Sequence, residues 1–589
     1  MTAPRTEAAI SGCANGRWLY LLPFAPCLLA QNLPPSPTLL NQCFALGLWG
    51  TCLTGWGQRL VFASRRHLWP LVTAGVGLVM AALAAPVSGA LPWPIGIPNA
   101  AFVLTALLIV LQGQSVSEGD QGVSALTMVL IGLCMVGLTS AAIACIQVFA
   151  PGWPDGDWIA RSGLAGRAVG NLRQPNHLAS LLLWAAIGIV ALIELRLLPR
   201  AAGSIMLTLL ILGVVLSGSR TGVLGTALLA LWGLSDRRLS RTGRALLLLA
   251  PAMAAVMWAG LSAWAHMGGL AFGGEGRLAA PAGGGDISSS RFGIWRDTLT
   301  MLSREPWTGV GFGEFNLAWT LTALPQRPIA FFDHTHNLPL QLLVELGLPL
   351  GTAVCALLLW SAWLAVRRAW QVDGDAGIAR RAAAMMVLMV GLHSLLEYPL
   401  WYAYLLLPTA FFWGFALAKS EAPAASALQP AGRSWAVRGL GLALILGAAA
   451  AVLDYHQVVV IYEPPEDAAP LEDRIARGQR SLLFGHHADY AAATAFGEPK
   501  APLSPSQKLA FERAPHHLLD IRLMIAWAQA LAAEGKVDQA RWLSARIREF
   551  RNPGSDEFFA PCGDATQATQ AFQCQKPERA WHWREFVNR

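Results

Sequence analysis

The sequence predicts an all-α protein that crosses a membrane many times, as a polytopic helical bundle. Of its 589 residues, 54% are hydrophobic and only 13% are charged, whereas a soluble domain carries about 25% charged residues. The mean hydropathy is +0.44. Apolar runs recur from Trp18 to about Val460, each close to the roughly 20 residues that a helix needs to cross a bilayer. These observations exclude a soluble globular enzyme and a disordered chain, and a β-barrel would show short alternating strands instead.

The apolar runs divide the chain into about 13 predicted spans when judged by length. They lie near residues 18–33, 38–58, 68–87, 97–113, 123–149, 177–197, 203–218, 221–235, 245–267, 337–366, 382–397, 401–418 and 437–460. The first is expected to be a retained helix and not a cleaved signal peptide, because Pro34-Pro35 and a second span follow it. The pair around Arg220 is short, so its boundaries are the least defined.

Basic residues fall in alternate connections between these spans, and this pattern predicts the orientation. The connections carry Arg65-Arg66, Arg196 with Arg200, Arg237-Arg238 with Arg241 and Arg244, Arg367-Arg368, Arg380-Arg381, and Lys419 with Arg433. The positive-inside rule places them in the cytoplasm, together with the N-terminal Arg5 and Arg17. The net charge of +7 is then explained by the basic residues of the cytoplasmic connections, and no nucleic-acid partner is expected.

The remaining connections are expected to face outward. They are 151–176, the short turn at Arg220, the long loop 268–336 and the turn at Tyr398-Pro399. An odd number of spans also places the C-terminal segment 461–589 outside. An error of one in the count would reverse that last placement.

The C-terminal segment is expected to be a helical domain outside the membrane. Residues 519–531 and 540–550 have helical spacing on either side of Gly535, which predicts a helical hairpin similar to a tetratricopeptide (TPR) unit. Cys562 and Cys574 lie twelve residues apart in this segment. They are expected to form a disulfide if the compartment is oxidising, and the alternative is two free thiols.

Polar side chains at the outward ends of the spans are the first candidates for a functional site, because ionisable and amide groups near a bilayer are costly. The stretch 170–177 contains Arg173, Gln174, Asn176 and His177 and opens a helix with a proline. The free N–H groups and positive dipole of that helix start suit an anion. The alternative is a polar cap at the membrane interface.

Two further stretches contribute outward arginines. Arg220 lies between two short apolar helices, and its planar guanidinium suits phosphate oxygens. Alternatively, it extends towards lipid headgroups. Arg291 precedes Trp295 in the long loop, where it is either a second cation of the site or a solvated loop residue. The glycines at 309, 311 and 313 predict a tight backbone path, and no dinucleotide fold is expected because no strand–helix unit surrounds them.

The fourth stretch contains Asp333, His334, His336 and Asn337 and runs into a helix. Two histidines two residues apart could bind a metal, but no third ligand follows at a convincing spacing, so no metal and no cofactor is expected. A histidine is instead a good general base at neutral pH. The alternative is a group that caps the helix at the interface.

His393 and Glu397 form a fifth element, at positions i and i+4 of one helix face. They are expected to pair with each other or to orient a group across the site, and structural support is the plainer interpretation. Together, the outward arginines, the helix start and the histidine suit one task. They would hold a polyanion at the membrane surface while the histidine deprotonates an incoming nucleophile. A lipid pyrophosphate is the natural anion, because its tail would lie among the spans.

These stretches resemble the Wzy/O-antigen ligase superfamily of bacterial inner-membrane glycosyltransferases. Within it, residues 171–179, 333–337 and 396–401 are similar to the PglL-type protein O-oligosaccharyltransferases, and so is the C-terminal helical extension with its cysteine pair. The likeness extends over residues 160–420 and more loosely over the tail. It implies the inner membrane of a Gram-negative bacterium, with the active site and the C-terminus in the periplasm.

The resemblance implies the metal-independent transfer of a preassembled oligosaccharide from undecaprenyl pyrophosphate to Ser or Thr hydroxyls of periplasmic proteins such as pilin. Inversion at the anomeric carbon is the expected stereochemistry. His336 matches the essential histidine of the family better than His334. Arg220 and Arg291 match its pyrophosphate ligands, with Arg173 as a further candidate. The expected site neighbours are Gln174, Asn176, His177, Asp333, His334, Asn337 and Glu397.

Four regions follow from the predicted spans and the resemblance. They are N-terminal spans at 1–160, a catalytic membrane region at 161–420 that includes the loop 268–336, a linker with the last span at 421–460, and the periplasmic helical domain at 461–589.

Three alternatives remain open. The chain could be an O-antigen ligase that uses the lipid A core, or a Wzy-type polymerase. A transporter of lipid-linked glycan is less expected, because it should carry carboxylates near mid-span and broken helices. A non-catalytic membrane scaffold would leave the outward arginines and the histidine without a purpose.

Overall fold

The computed structural model describes residues 17–56, 66–119, 121–268, 271–273, 290–328, 331–419 and 435–587. Over these ranges the chain forms helices, turns and loops, without a β-strand beyond one isolated bridge between Leu33 and Ser36. Eight of the described helices are long and apolar enough to cross a membrane. The chain is therefore a multi-pass α-helical membrane protein, as its composition predicts. Arg5, Arg65 and Arg433 lie outside the described residues.

Every predicted span after the first coincides with a helix. These helices are α1 (Leu39–Trp56), α2 (Trp69–Val87), α3 (Trp93–Glu118), α4 (Gly122–Phe149), α5 (Pro175–Glu194), α6 (Arg200–Leu216), α7 (Arg220–Ser235), α8 (Arg241–Gly268), α11 (Leu338–Ala369), α12 (Gly374–Ser394), α13 (Ala403–Leu417) and α14 (Trp435–Tyr462). The eight that meet the membrane criteria are α2, α3, α4, α5, α8, α11, α12 and α14. The helices α6 and α13 are shorter apolar helices.

The remaining helices lie in the long loop and in the tail. They are α9 (Arg291–Arg304), α10 (Phe315–Leu321), α15 (Leu471–Gly478), α16 (Gly485–Thr494), α17 (Pro505–Arg513), α18 (Ile521–Ala533), α19 (Val537–Phe550), α20 (Asp556–Phe559) and α21 (Ala565–Ala568).

The first predicted span, 18–33, is wrong as an α-helix. The structure has two short 3-10 helices there, Arg17–Leu21 and Ala25–Leu28. The physical reason is the pair of prolines at 23 and 26, since each removes a backbone donor and obstructs the preceding turn of a regular helix.

This irregular segment nevertheless packs along α1 in the opposite direction. The Leu19 carbonyl accepts a hydrogen bond from Cys52 Sγ at 3.6 Å. The carbonyls of Pro26 and Leu29 accept from Asn41 Nδ2 at 2.8 and 2.9 Å. Non-helical backbone at membrane depth is tolerated only where protein groups satisfy it, and the buried Asn41 amide does so here.

The helix α11 is interrupted at Gly347, whose φ of +75° and ψ of 169° are not helical. The segment 306–311 pairs with the interruption. Val310 N donates to Val344 O at 2.8 Å, and Leu348 N donates to Pro306 O at 2.7 Å. A Cβ atom on Gly347 would lie 2.4 Å from Trp307 O, so only glycine fits. Regular helix resumes after Gly347 over 22 residues, which at 1.5 Å per residue is still about 33 Å, enough to cross a bilayer.

The chain divides into two compact units. Unit 1 comprises Met1–Val72, Thr105–Gly285 and Leu358–Ala450, and unit 2 comprises Thr73–Leu104, Asp286–Leu357 and Ala451–Arg589.

The helix α5 is the centre of unit 1. It is in contact with α4, α6, α7 and α12, and 94% of its apolar window is buried, the largest share among the eight membrane helices. Trp184, near its middle, is fully buried and donates from Nε1 to Met386 O at 2.9 Å. The N-terminal end of this helix carries the first polar stretch, so the packing of unit 1 fixes the position of that stretch.

Within unit 2, the helical part of the long loop and the tail share one core. Arg327 lies between the rings of Trp319 and Phe550, 4.7 Å from each centroid. Its Nε is 3.1 Å from Glu549 Oε2. Trp542 Nε1 also donates to Leu321 O at 3.1 Å. A buried guanidinium is tolerated when aromatic faces and a carboxylate surround it.

The helical hairpin that the sequence predicts for the tail is present. Its helices are α18 and α19, and Gly535 between them has a φ of +79°, a conformation that favours glycine and ends a helix. Cys562 and Cys574 are joined by a disulfide, with Cα atoms 5.3 Å apart. The likeness to a TPR unit and the predicted domain boundaries remain predictions.

Two glycines let α3 and α13 approach closely in unit 1. A Cβ atom built on Gly414 would lie 1.9 Å from Val110 O, and one built on Gly113 would lie 2.1 Å from Phe411 O. We expect Gly414→Ala to push the helices apart and to lower the free energy of unfolding by about 1–3 kcal/mol. A lower melting temperature in detergent would register the change. Gly391→Ala is the matched control, because its added Cβ would meet nothing within 4 Å. Equal melting temperatures for the two variants would contradict the close approach.

Candidate active site

All four polar stretches predicted from the sequence lie at the start of a helix. The stretch 170–177 opens α5, Arg220 is the first residue of α7, Arg291 is the first residue of α9, and Asn337 caps α11. A helix start has unpaired backbone N–H groups and a positive dipole, which makes it a place to bind an anion. The first two stretches belong to unit 1 and the last two to unit 2.

In unit 1, the Asn176 side chain joins three elements of the bundle. Its Nδ2 donates to Glu397 Oε1 at 3.2 Å, and its Oδ1 accepts from Ser219 Oγ at 2.6 Å. Ser219 caps α7 by accepting from Gly222 N at 3.0 Å. Asn176, Ser219 and Glu397 are all buried. One amide therefore holds together the start of α5, the start of α7 and the turn after α12.

Gln174 is the N-cap of α5. Its side-chain oxygen accepts from the backbone N–H groups of Asn176 and His177. Pro175 occupies the first helical position, as the sequence predicts. The predicted site neighbours Gln174 and Asn176 are thus brought together, and both are tied to backbone or side-chain partners.

His177 is buried among tyrosines in the first turn of α5. Its Nδ1 lies 3.0 Å from Tyr404 Oη, and its ring centroid lies 4.5 Å from that of Tyr402, edge to face. Nearby, Ser180 Oγ lies 2.8 Å from His393 Nδ1. His393 and Glu397 therefore each bond to α5, which favours the interpretation that they orient groups on a neighbouring helix.

Arg173 is held in a left-handed conformation, with a φ of +54°. This backbone is costly for a residue other than glycine and is often found at functional sites. One terminal nitrogen donates to Ala30 O and, at 2.9 Å, to Asn32 Oδ1. The other terminal nitrogen is buried and has no hydrogen-bond partner among the described residues. A guanidinium with an unused donor suits the anion predicted for this stretch.

Arg220 begins α7 and is partly exposed. The turn before it is fixed by Arg167, whose Nε donates to Ser217 O at 3.0 Å and whose second terminal nitrogen lies 3.4 Å from Gly218 O. Gly218 has a φ of +57°. The two carbonyls at this turn are therefore occupied by another arginine.

In unit 2, the loop 333–337 is fixed by its middle residue. Thr335 is fully buried. Its backbone N–H donates to Gln341 Oε1 and its carbonyl accepts from Trp295 Nε1, both at 2.9 Å. Gln341 in turn donates to Glu345 at 2.9 Å. These bonds connect α9, the loop and the first turns of α11.

His336 follows Thr335 in a left-handed conformation, with a φ of +52°. Its ring is partly exposed and lies 5.4 Å, edge to face, from that of Phe332. The next residue, Asn337, accepts from Leu340 N at 3.0 Å and so caps α11. The Asn337 side chain therefore has a structural role as the N-cap of α11.

Asp333 lies beside the first histidine of the pair. Its Oδ1 is 3.1 Å from His334 Nδ1. Burial raises the pKa of Asp333, but the charges of His334 and, more weakly, His336 outweigh this effect and lower the pKa to about 2. The carboxylate is therefore ionised at neutral pH.

Arg291 lies at the start of α9, four residues before Trp295, and is partly exposed. Ser290 before it is left-handed, with a φ of +63°. The bond from Trp295 to Thr335 O therefore links the helix of Arg291 to the loop of His336. The helix that begins with the predicted cation and the loop that contains the predicted base are thus joined by a hydrogen bond.

Two buried polar residues that shape unit 1 were not predicted from the sequence. Gln147 in α4 donates to Ala160 O at 2.6 Å and accepts from Val169 N and Gly170 N, both at 2.9 Å. Arg167 supports the turn before Arg220, as described above. A lone amide in the apolar run of α4 was the available signal for Gln147. The sequence offered no comparable signal for Arg167.

Three histidines of the tail form a cluster that was not predicted from the sequence. His486, His487 and His517 each present a ring nitrogen within 4.8 Å of the others. Spacing along the chain gives no hint of this cluster, because 30 residues separate His517 from His487.

Three family models match the chain. They are described as O-Antigen ligase, over residues 205–355; Virulence factor membrane-bound polymerase, C-terminal, over 382–557; and Protein glycosylation ligase, over 168–192. The first match contains Arg220, Arg291 and the loop 333–337, and the last contains the stretch 170–177. These matches confirm the resemblance to the PglL-type branch of the O-antigen ligase superfamily.

Two curated relatives belong to Acinetobacter baylyi. The chain is 28% identical over 375 residues to a General O-oligosaccharyltransferase, covering 60% of this chain and 59% of the relative. It is 28% identical over 133 residues to a ComP-specific O-oligosaccharyltransferase, covering 22% and 23%. The chain thus matches about three fifths of the length of the first relative and under a quarter of the second.

The buried junction at Asn176 yields a testable expectation. Asn176→Ala would leave Ser219 Oγ and the Glu397 carboxylate without their amide partner inside the bundle. We expect a loss of about 1–3 kcal/mol in the free energy of unfolding, measured as a lower melting temperature in detergent. Asn99→Ala is the control, because the partly exposed Asn99 side chain bonds only to Ile95 O of its own helix. An Asn176→Ala protein as stable as the control would refute the role of the junction.

Proposed function

We propose that the protein transfers a preassembled oligosaccharide from undecaprenyl pyrophosphate to Ser or Thr hydroxyls of periplasmic proteins, pilin-like proteins among them. The observation that carries the proposal is the match of residues 168–192 to a protein glycosylation ligase. That match covers the helix start where Asn176 bonds to Ser219 and Glu397. The names of both curated relatives, O-oligosaccharyltransferases, support the same reaction class.

In the proposed mechanism, His336 accepts the proton of the acceptor hydroxyl. The hydroxyl oxygen attacks the anomeric carbon of the lipid-linked sugar, and the bond from that carbon to the pyrophosphate oxygen breaks. Displacement in one step inverts the anomeric configuration, and the electron pair leaves with the pyrophosphate. The fixed loop around Thr335 supports this role, because a base must be held within hydrogen-bond reach of its proton.

Arginines are proposed to stabilise the leaving group. The resemblance assigns this role to Arg220 and Arg291, and the unused nitrogen of Arg173 adds a third candidate. Each lies at or just before a helix start, where backbone N–H groups add to the positive potential. Stabilising the charge that develops on the pyrophosphate lowers the barrier to its departure. The reaction is proposed to need no metal.

O-antigen ligase or polymerase activity is the second candidate. The matches over 205–355 and 382–557 favour it, because their descriptions name those two activities. The donor and the leaving group would be the same, and only the acceptor would differ.

The catalytic role is tested by reconstitution. Purified full-length protein is incubated with lipid-pyrophosphate-linked oligosaccharide, a pilin-like acceptor and EDTA, and the acceptor mass is followed. We expect a glycan-sized gain that falls by about 10²–10⁴-fold in His336→Ala and far less in the matched variant His334→Ala. Full activity in His336→Ala would refute the catalytic assignment. Transfer to lipid A core, or chain growth on the lipid, would identify the second candidate function.

We further propose that the protein lies in the inner membrane of a Gram-negative bacterium, with the tail in the periplasm. The Cys562–Cys574 disulfide supports an oxidising compartment for the tail. The basic residues of the connection before α14 support a cytoplasmic location for that connection.

The orientation is tested with reporter fusions in a Gram-negative host. Alkaline phosphatase, which requires an oxidising compartment, is expected to be active when fused at the C-terminus. The same enzyme fused after Gln371, next to the basic pair at the end of α11, is the matched control and is expected to be inactive. An inactive C-terminal fusion with an active control would reverse the proposed orientation.

A further inference from the structure

The three histidines of the tail form a compact cluster of metal-ligating groups within unit 2. The ring centroids of His486 and His517 are 3.8 Å apart, those of His486 and His487 are 4.2 Å apart, and those of His487 and His517 are 5.4 Å apart. One ring nitrogen of each lies within 4.8 Å of the other two. Among the residues that the structure describes, these three histidines form a group that could hold a metal ion.

The cluster is anchored from two separate elements. His486 and His487 lie in the first turn of α16, and His517 follows the 3-10 helix Ala514–His516. The backbone at His487 is held by Tyr462, whose hydroxyl donates to its carbonyl at 2.7 Å. An ion bound by all three rings would therefore link α16 to the segment that precedes α18.

A second observation points to a ligand. Nδ1 of His486 is buried and has no hydrogen-bond partner among the described residues. A buried imidazole nitrogen without a partner is costly, because it has given up its bond to water. A metal ion at the centre of the cluster would satisfy it, and His517, which is exposed, leaves a path to solvent.

The surrounding charges are compatible with a cation. Arg513, the nearest arginine on α17, is paired with Asp489, with Nε 3.0 Å from Oδ2. On the other side, Asp333 and His334 act electrostatically on the His517 ring. The negative charge of Asp333 favours a cation near this ring.

We infer that His486, His487 and His517 form a site for a divalent transition-metal ion of the zinc class. Imidazole nitrogens suit zinc, copper and nickel. Zinc–nitrogen bonds of about 2.0–2.1 Å in a tetrahedral site separate the nitrogens by roughly 3.4 Å. The side chains would have to rotate to bring their nitrogens, now within 4.8 Å of one another, to that distance around a common centre. Three protein ligands leave a fourth position for water or a carboxylate. The site joins α16 to the segment that precedes α18 and takes no part in the proposed transfer reaction.

The test uses tag-free, full-length protein in detergent, stripped with EDTA and titrated with Co²⁺. We expect one Co²⁺ per chain with the visible absorption of tetrahedral cobalt, displaced by Zn²⁺, and a melting temperature that rises with Zn²⁺. His486→Ala and His517→Ala should each weaken binding by at least about 10²-fold, since even partners outside the ligand shell cost 10–100-fold. His456→Ala, an exposed histidine of α14 in the same unit, is the control and should bind as the parent does.

Folding of the variants is checked by their melting temperatures in EDTA, which should equal that of the parent. His517→Gln serves as the variant least disturbing to the fold, because His517 is exposed. Absence of stoichiometric binding, or binding retained in the His486→Ala, His517→Ala double variant, would overturn the inference. Because the transfer assay runs in EDTA, failure of the metal site and failure of the proposed function are separate results.

Discussion

A helix that begins within or beside a bilayer must find partners for its first backbone N–H groups, and the candidate site is built largely from the groups that provide them. Gln174 caps α5, Ser219 caps α7 and Asn337 caps α11. In each case the partner is a side chain of the protein. Because each cap lies next to a predicted cation or base, the same hydrogen bonds that start the helices also position the polar residues.

This dependence explains how a mostly apolar chain holds so many polar side chains in fixed positions. The Asn176 amide is shared between a carboxylate and a capping hydroxyl, so neither is left unpaired. In unit 2, Thr335 and Gln341 use backbone and side-chain groups to fix a loop that contains a left-handed histidine. Strain in such a loop persists only where the surrounding structure over-determines it.

The sequence predicted the class of fold and nearly all of its helices, because apolar runs of membrane length are a strong local signal. The prediction of a helix failed at residues 18–33, because hydropathy does not register the prolines that prevent a regular helix there. The candidate residues were found because charge and amides are rare in such a chain. Their partners were not, since the bond from Trp295 to Thr335 joins residues 40 positions apart and leaves no periodic trace. The same reason hid the histidine cluster of the tail.

The tail is more than an appendage to the last helix of the chain. Arg327 of the long loop is enclosed by rings from the loop and from α19, and its charge is met by Glu549. Removing the tail would expose a buried cation and an aromatic core in the part of the chain that also carries α9 and the loop of His336. The resemblance of the tail to a separable repeat unit is therefore a poor guide to where the chain can be cut.

The interruption at Gly347 has a mechanical consequence. It divides α11 into two helical segments, the first of which starts at the loop of His336. The segment 306–311 forms backbone hydrogen bonds with both segments, with Val344 and Glu345 on one side of Gly347 and with Leu348 on the other. The bend at Gly347 is consequently supported by backbone hydrogen bonds on both sides and is not a free hinge. A movement of the second part of α11 near Leu348 would therefore be transmitted to the segment 306–311 and to the residues just before Gly347.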